Sequence, residues 1–540
     1  MSADLIVSAQ GLRNPGEPAL KATTLAICRD RIVAIGGDEI LSEHCASHTR
    51  IEKVDGVVLP GLVDIHTHPV WGSIERGTSL DLHRFGTLDE LLTATGERID
   101  QLGTQGWITG FNLDINLFDG QPSGQILGER FPGVKISYMT ADAHALVVSP
   151  AVIAQLGITG HERFADASRI HTDELGAPTG YIVELQAMDL VTMHYPQLPI
   201  EQAADHVLAE LSHMASCGLT GVHALDFAEP SEAVYRYLDG RGLLPLKVRC
   251  SPLVPADSEL GAWERAVEQQ ALGGERWQVA GVKFMLDGTA DNGSAWFAHP
   301  DCYGQNAESL WRNPEAYRQA IAYFTARGIP TATHAIGDAA VAYALDAIEE
   351  AGPASGGAHR IEHLESIGDE LLPRFAQLGV VASVQPVHGT RLTSPDGSDN
   401  WSIRLGSGRA AHGWRTRDLL NAGAPLALGS DWPIGVADPR VALADAQLRR
   451  PVERPEARAL HADQALTAAE AYRAMTAVPA LAAGLQNEGR IAVGTRADLS
   501  IFARDPLMLD PAAQSVNPVL ATVVDGIFSD YHRAIPVAHR

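Results

Sequence analysis

The 540-residue sequence has few cysteines, and they are dispersed. The five cysteines include no CxxC pair, and an odd number cannot complete a disulfide framework. We therefore expect the protein in a reducing compartment, the cytoplasm. Residues 1–18 contain no basic stretch followed by an apolar core, so the sequence predicts no secretory signal.

Long apolar runs and basic residues are also scarce. Residues 145–158, among the most apolar of the chain, are interrupted by Ser149, Pro150 and Gly157, and a membrane helix needs roughly 20 apolar residues. The chain has 41 lysines and arginines against 66 acidic residues, a formal charge of -25. Such a surface repels polyanions. A small-molecule substrate is therefore expected as partner, with no nucleic acid and no membrane.

The sequence does contain a regular alternation of short apolar runs and helix-like stretches. Hydrophobic residues make up 45% and charged residues 20%, as in globular proteins. From residue 219 onward the runs recur every 20 to 50 residues or so, about the length of one βα unit. This pattern predicts an α/β fold, a (β/α)8 TIM-like barrel. The eight runs are 61–68, 219–226, 245–254, 279–287, 329–338, 359–365, 380–386 and 425–431.

The long gap after the first run predicts an insertion. Residues 71–202 carry a helical pattern over 88–102 and strand patterns over 107–112 and 134–140. We interpret this segment as a subdomain that overhangs the barrel.

Both ends of the chain are rich in short strand-like runs and turns. We expect residues 1–60 and 488–540 to pair into one small β-sandwich, because neither half could bury its apolar faces alone. The barrel domain then spans residues 61–487.

Histidine is abundant, with 21 residues, and two of them end the first barrel strand. Residues i and i+2 of a strand face the same side, so His66 and His68 can bind one metal ion together. A structural role for the pair is the alternative. Leu62 and Ile65 favour the metal, because two unpaired histidines in a buried strand would be costly.

Lys283 stands in the middle of the apolar fourth run, and a buried lysine needs a partner. It could reach the barrel rim or meet a buried acid. Alternatively, burial lowers its pKa, it reacts with carbon dioxide, and the carbamate bridges two metal ions.

Three further residues end barrel strands. His334 and His363 could each be a satisfied core histidine, and Asp431 could cap the next helix. Taken with the others they form a set on the face where barrel enzymes build active sites. The set is His66, His68, Lys283, His334, His363 and Asp431.

The chain resembles the amidohydrolase superfamily, and within it the YtcJ-like amidohydrolase family 3 that includes N-substituted formamide deformylases. The resemblance covers nearly the whole chain. The segments that carry it are 60–61, 281–288, 334–340, 360–363, 383–386, 429–431 and 489–499.

The resemblance implies two divalent metal ions, most often zinc. It assigns His66, His68 and Asp431 to one ion, His334 and His363 to the other, and a carbamylated Lys283 as the bridge. Deamination is disfavoured, because superfamily deaminases typically lack this lysine and have a glutamate shortly after the fifth-strand histidine.

The expected reaction is hydrolysis of an amide, N-formyl or N-acyl C–N bond by a metal-bridging hydroxide. Asp431 would be the catalytic residue that accepts the proton and returns it to the leaving nitrogen. Lactone, ester or carbamate hydrolysis at the same site, and a non-catalytic metal-binding barrel, are the alternatives. A homodimer would be common for such barrels.

Residues near the predicted mouth are candidates for substrate binding, although packing explains each of them as well. His144 and Glu184 lie in segments that resemble substrate-lining segments of the family. The others follow the first, seventh and eighth strands, where the stretch 401–409 is expected to be a loop. The candidates are Trp71, His144, Glu184, His388, Arg404 and Trp432.

Overall fold

The computed structural model describes residues 2–118, 120–485 and 488–531. Its centre is two curved sheets of four and five strands in which all neighbours are parallel. Together they form eight barrel strands, which confirms the predicted fold class. Barrel strands 1 to 8 are Leu62–Thr67, Leu219–Ala224, Lys247–Cys250, Trp277–Val279 with Val282–Met285, Thr331–Ala335, Arg360–His363, Val381–Val384 and Leu426–Leu428.

Backbone hydrogen bonds at two junctions join the sheets. The Asp431 amide donates to the His66 carbonyl at 2.8 Å, between strands 8 and 1. The Lys283 amide donates to the Pro252 carbonyl at 2.9 Å, between strands 4 and 3. Strand 4 is interrupted at Gly281, whose φ of +120° requires a glycine. Residues of the predicted site therefore help to close the barrel.

Helices cover the outside of the barrel because their apolar stripes face it. In Ile200–Ser216, for example, Ala203, Val207, Leu211 and Met214 are buried on one face. The barrel helices are Pro69–Thr78, Ile200–Ser216, Ser231–Asp239, Leu260–Glu268, Pro314–Thr325, Asp338–Ala351, Leu372–Leu378, Pro386–Leu392, Asn400–Ala410, Thr416–Asn421, Pro439–Leu448, Ala468–Ala474 and Ala477–Ala482. Among the described residues, no helix is long and apolar enough to cross a bilayer.

The segment after strand 1 forms its own six-stranded sheet. In spatial order its strands are Arg169–Thr172, Pro178–Val183, Ala145–Val148, Lys135–Thr140, Trp107–Leu113 and Leu80–Asp81. Its helices are Leu88–Leu102, Gln125–Arg130, Pro150–Leu156 and Leu185–Thr192. One apolar cluster joins helix and sheet through Leu91, Ile99, Ile108 and Ile136.

Strands from both ends of the chain pair in a second pair of sheets. Val57–Pro60 lies antiparallel to Leu499–Phe502, and one apolar cluster includes residues from both ends. The strands are Leu5–Ser8, Gly11–Leu12, Thr24–Cys28, Arg31–Gly36, Arg50–Lys53, Val57–Pro60, Leu499–Phe502, Val519–Val524 and Ile527–Asp530, with helices Glu39–His44 and Pro511–Ser515.

Strand Leu499–Phe502 attaches these sheets to the barrel through its alternating side chains. Leu499 and Ile501 belong to the apolar cluster of the terminal sheets. On the other face, the Ser500 hydroxyl donates to the Gly218 carbonyl at 2.6 Å, and Phe502 packs in the barrel cluster. Because successive side chains of a strand point to opposite faces, this one strand contributes to both apolar cores.

Phe502→Ala should destabilise the protein by about 3–5 kcal/mol, because it leaves a cavity where the terminal sheets meet the barrel. Met508→Ala, at a side chain that is 75% exposed, is the matched control and should be nearly neutral. Thermal unfolding of both variants measures the effect. Equal midpoints would show that this contact does not stabilise the protein.

Candidate metal centre

The carboxyl ends of the barrel strands bring the six predicted ligands to one face, and all but His68 are buried. Strand 8 approaches strand 1 closely at Gly429, where a Cβ atom would lie 2.6 Å from the Cβ atom of His66. Only glycine permits this approach. The ligands lie in or just after strands 1, 4, 5, 6 and 8: His66, His68, Lys283, His334, His363 and Asp431.

Asp431 lies at the centre of the histidines. Its Oδ1 atom is 2.9 Å from Nε2 of His68 and 3.3 Å from Nε2 of His66, and its Oδ2 atom is 3.9 Å from Nδ1 of His363. Burial opposes ionisation of this carboxyl, but the histidines outweigh it and hold its pKa well below the ordinary value. Asp431 is therefore an anion at neutral pH.

The backbone at two of these residues is strained. Asp431 has a φ of +56° and His363 a φ of +75°, in the left-handed region that non-glycine residues rarely adopt. Each such residue costs about 1–3 kcal/mol, and such strain clusters at functional sites. In this backbone conformation the two side chains point toward each other, with Nδ1 of His363 3.9 Å from Oδ2 of Asp431.

Glu362 orients His66. Its Oε2 atom lies 2.8 Å from Nδ1 of His66, and its other oxygen forms an ion pair with Nε of Arg360 at 2.9 Å. Burial opposes its ionisation, but Arg360 and His66 lower the Glu362 pKa to about 2. An ionised Glu362 keeps the proton on Nδ1, so the Nε2 lone pair of His66 faces the site.

Lys283 is buried at this face without a directly contacting acidic group in the part of the chain that the structure describes. It is 2% exposed, and its Nζ atom makes no hydrogen bond or ion pair within the described residues. Burial lowers its pKa to about 8, although Glu362 and Asp431 act against this. A neutral amine, the form that reacts with carbon dioxide, is therefore accessible near neutral pH.

His334 and His363 pack ring against ring, with centroids 4.3 Å apart. Burial holds both pKa values well below the ordinary value, so both imidazoles are neutral. His334 Nε2 lies 3.2 Å from the Gly288 carbonyl oxygen. Neutral imidazoles are the form that binds metals.

These donors fit divalent cations. His66, His363 and Asp431 each place a ligand atom within 4.8 Å of the others. Nδ1 of His363 is buried with no hydrogen-bond partner, which is costly unless a cation takes it. Imidazole nitrogens with one carboxylate suit zinc and similar ions. The trio includes His363, which the sequence resemblance had assigned to the second ion.

A cavity of about 600 Å³ opens above this centre. Residues of the insertion form much of its apolar wall, with Trp107, Met139 and Met188 among them. A much smaller cavity, about 40 Å³, adjoins it on the side of Trp401 and His388. Residues of the insertion thus form part of the wall above the site.

Three of the candidate substrate residues lie at these cavities. Trp71 and His144 line the large cavity. His388 lines the small one, with Nε2 3.5 Å from Oδ2 of Asp431. His144 is further fixed by Glu184, whose Oε2 atom lies 3.0 Å from Nδ1 of the ring.

The structure places the other three candidates behind the site. Glu184 is fully buried and acts through His144, without lining either cavity. Arg404 pairs with Asp301 at 2.6 Å, because the stretch predicted as a loop is the helix Asn400–Ala410, which carries it away from the cavity. Trp432 is 2% exposed and packs in the barrel core.

Two supporting carboxylates were missed from the sequence. Glu362 stands next to His363 in the motif 360–363, which was the available signal. Asp64 stands two residues before His66, and its Oδ1 atom accepts hydrogen bonds from the amides of His66 and Ser430 at 3.1 and 3.0 Å. Only the packing of strands 1 and 8 reveals this role.

Comparison with known proteins agrees with the architecture. YtcJ of Bacillus subtilis (strain 168), which is named an amidohydrolase, is 28% identical over 513 residues, covering 92% of this chain and 93% of its own. The N-substituted formamide deformylase of Arthrobacter pascens is 24% identical over 557 residues, covering 97% and 98%.

Among solved structures, an uncharacterised metal-dependent hydrolase from Pyrococcus horikoshii OT3 is similar with a TM-score of 0.71 and 22% identity. The match covers 94% of this chain and 99% of that one. At this identity the likeness concerns the fold. The model of the amidohydrolase family matches residues 55–528, most of the chain, and the protein belongs to that family.

Proposed function

We propose that this hydrolase cleaves an amide-type C–N bond, as an N-acyl or N-formyl compound would offer, with two divalent metal ions. The observation that carries the proposal is the buried Asp431 carboxyl, which lies within 4 Å of His66, His68 and His363 beneath a cavity of about 600 Å³. Two bound ions supply a hydroxide nucleophile at neutral pH and polarise the substrate carbonyl. His66, His68, His334, His363 and Asp431 would hold them, together with Lys283 as a carbamate.

Asp431 is the proposed proton carrier. Among the described residues it is the one carboxylate that lies within 4 Å of three of the ligand histidines, so it borders the point where the carbonyl would bind. As an anion it accepts the proton of the nucleophile and returns it to the leaving nitrogen. Amide hydrolysis needs this second step because an amine anion is a poor leaving group.

His144 is the proposed contact for the substrate carbonyl or its neighbour. Its ring centroid is 5.1 Å from that of His334, and Glu184 fixes its orientation. Burial opposes protonation of this ring, but Glu184 dominates and raises its pKa to about 9. A protonated His144 would donate a charged hydrogen bond to the developing oxyanion.

The charges of the large cavity select the substrate. Beyond the centre its wall carries the carboxyl groups of Glu75, Asp189, Asp226 and Glu229. Among the described residues of the wall, Lys283 is the one lysine and arginine is absent. A negatively charged arm that extends past the metal centre would meet these acidic side chains and no lysine or arginine, and would be left unpaired. The enzyme should therefore act on neutral or cationic amides with an apolar arm.

Asp431→Asn should lower kcat by about a hundredfold to ten-thousandfold, because asparagine cannot carry the proton. Asp396→Asn, an exposed surface change, is the matched control and should match the wild type. Steady-state kinetics are read together with the metal content of each preparation. Wild-type kcat in fully loaded Asp431→Asn would contradict the proposed role.

Three matched amides test the reaction and its charge preference. Amine release is measured from N-acetylhexylamine, mono-N-acetyl-1,6-diaminohexane and 6-acetamidohexanoate, and from their N-formyl counterparts. The neutral and cationic compounds should exceed the anionic ones at least about tenfold in kcat/KM, equal to ~1.4 kcal/mol.

The two parts of this proposal fail differently. No amine release from any of the six compounds by the metal-loaded enzyme would contradict amide hydrolysis of this type. Release that is fastest from the anionic compounds would leave the reaction intact and contradict the charge argument.

A further inference from the structure

A second cavity lies at the opposite end of the barrel from the metal centre. It measures about 410 Å³ and is bounded by the amino ends of the barrel strands, where Gly61, Thr220 and Trp277 lie, and by Pro479 and Asp498. We call it the barrel-floor cavity. It belongs to no part of the proposed reaction.

Arg249 directs an uncompensated charge at this cavity. It alternates with Val248 and Cys250, which pack outward in the barrel core, so its own side chain points inward. Its guanidinium makes no hydrogen bond or ion pair with any described residue, and it lines the cavity. Burial and neighbouring Arg360 lower its pKa to about 10, which still leaves it charged at neutral pH.

The other cations of the cavity are already paired. Lys247 lies 2.6 Å from Asp498 and also 2.6 Å from Asp525, and Arg496 lies 3.3 Å from Asp525. Arg276 donates to the Leu244 carbonyl at 2.6 Å. Unlike these cations, Arg249 has no hydrogen-bond or ion-pair partner among the described residues.

The acids of the cavity wall do not compensate Arg249. Asp498 is held by Lys247, and Glu488 accepts from Arg31 at 2.7 Å. Glu275 is exposed to solvent. The buried part of the cavity thus keeps a net positive charge, in a protein whose overall charge is -25.

His223 supplies a second donor at the same place. Its Nδ1 atom lies 3.0 Å from Nη1 of Arg360. A guanidinium can only donate, so Nδ1 accepts and the ring proton is on Nε2. Within the described residues Nε2 has no acceptor. His223 and Arg249 both line the barrel-floor cavity and a pocket of about 20 Å³ behind it, enough for one small group.

We infer that the barrel-floor cavity binds a small anion whose carboxylate or phosphate oxygens accept hydrogen bonds from Arg249 and from Nε2 of His223. An oxyanion matches a guanidinium fork, and it satisfies two donors that the protein leaves without acceptors.

The site is connected to the metal centre by Arg360. Its Nη1 atom donates to the carbonyl of Ile65 at 2.8 Å, and its Nε atom pairs with Glu362, which orients His66. An anion beside Arg249 would reduce the repulsion between the two guanidinium groups. An anion bound in the barrel-floor cavity should therefore stabilise the fold around strand 6.

The test is calorimetric titration of the metal-loaded full-length protein with phosphate and with succinate, with sodium chloride as the control for ionic strength. One of the two oxyanions should bind saturably with a dissociation constant below about 1 mM. Arg249→Gln should weaken this binding at least tenfold. Arg265→Gln, at an exposed arginine of a barrel helix, is the matched control and should leave it unchanged.

Arg249→Lys keeps the charge and should retain part of the binding, and circular dichroism of each variant checks that it is folded. Binding that persists in folded Arg249→Gln would place the anion elsewhere, for example on the metal ions, and overturn the inference. Absence of binding of both anions by the wild type at 20 mM, a concentration about 20-fold above the expected upper limit of the dissociation constant, overturns it equally.

Discussion

The buried carboxylate of Asp431 is the group on which the site depends. A buried anion is costly unless nearby positive charge compensates it. Histidines in or just after strands 1 and 6 surround this carboxylate. Their own pKa values are lowered by burial, so neutral rings cannot supply that charge fully. Divalent cations would do so, and they would satisfy the carboxylate and the imidazole lone pairs together.

Several parts of the fold hold the predicted metal ligands in place. Glycine at 429 lets strand 8 approach strand 1, and Asp64 ties the two strands together. Glu362 and Arg360 fix His66 from below. Residues of the insertion form an apolar and acidic part of the cavity wall. In the proposed reaction the metal ions would set the chemistry, and the insertion would select the substrate.

The sequence alone was enough to predict the features that depend on a local residue pattern. The helix expected over 88–102 is Leu88–Leu102, and the i, i+2 spacing placed His66 and His68 on one face. Contacts between segments that are distant in the chain could not be predicted from the sequence. Arg404 looked available for substrate until Asp301, 103 residues away, proved to hold it. Likewise, the role of Glu362 follows from a contact across 296 residues.

Elemental analysis of the purified protein and of Lys283→Met tests the central claim most directly. The account predicts about two divalent ions per wild-type chain, and about one or fewer in Lys283→Met, since methionine cannot form the bridging carbamate. A folded wild-type protein that holds no divalent ion after equilibration with zinc would contradict it.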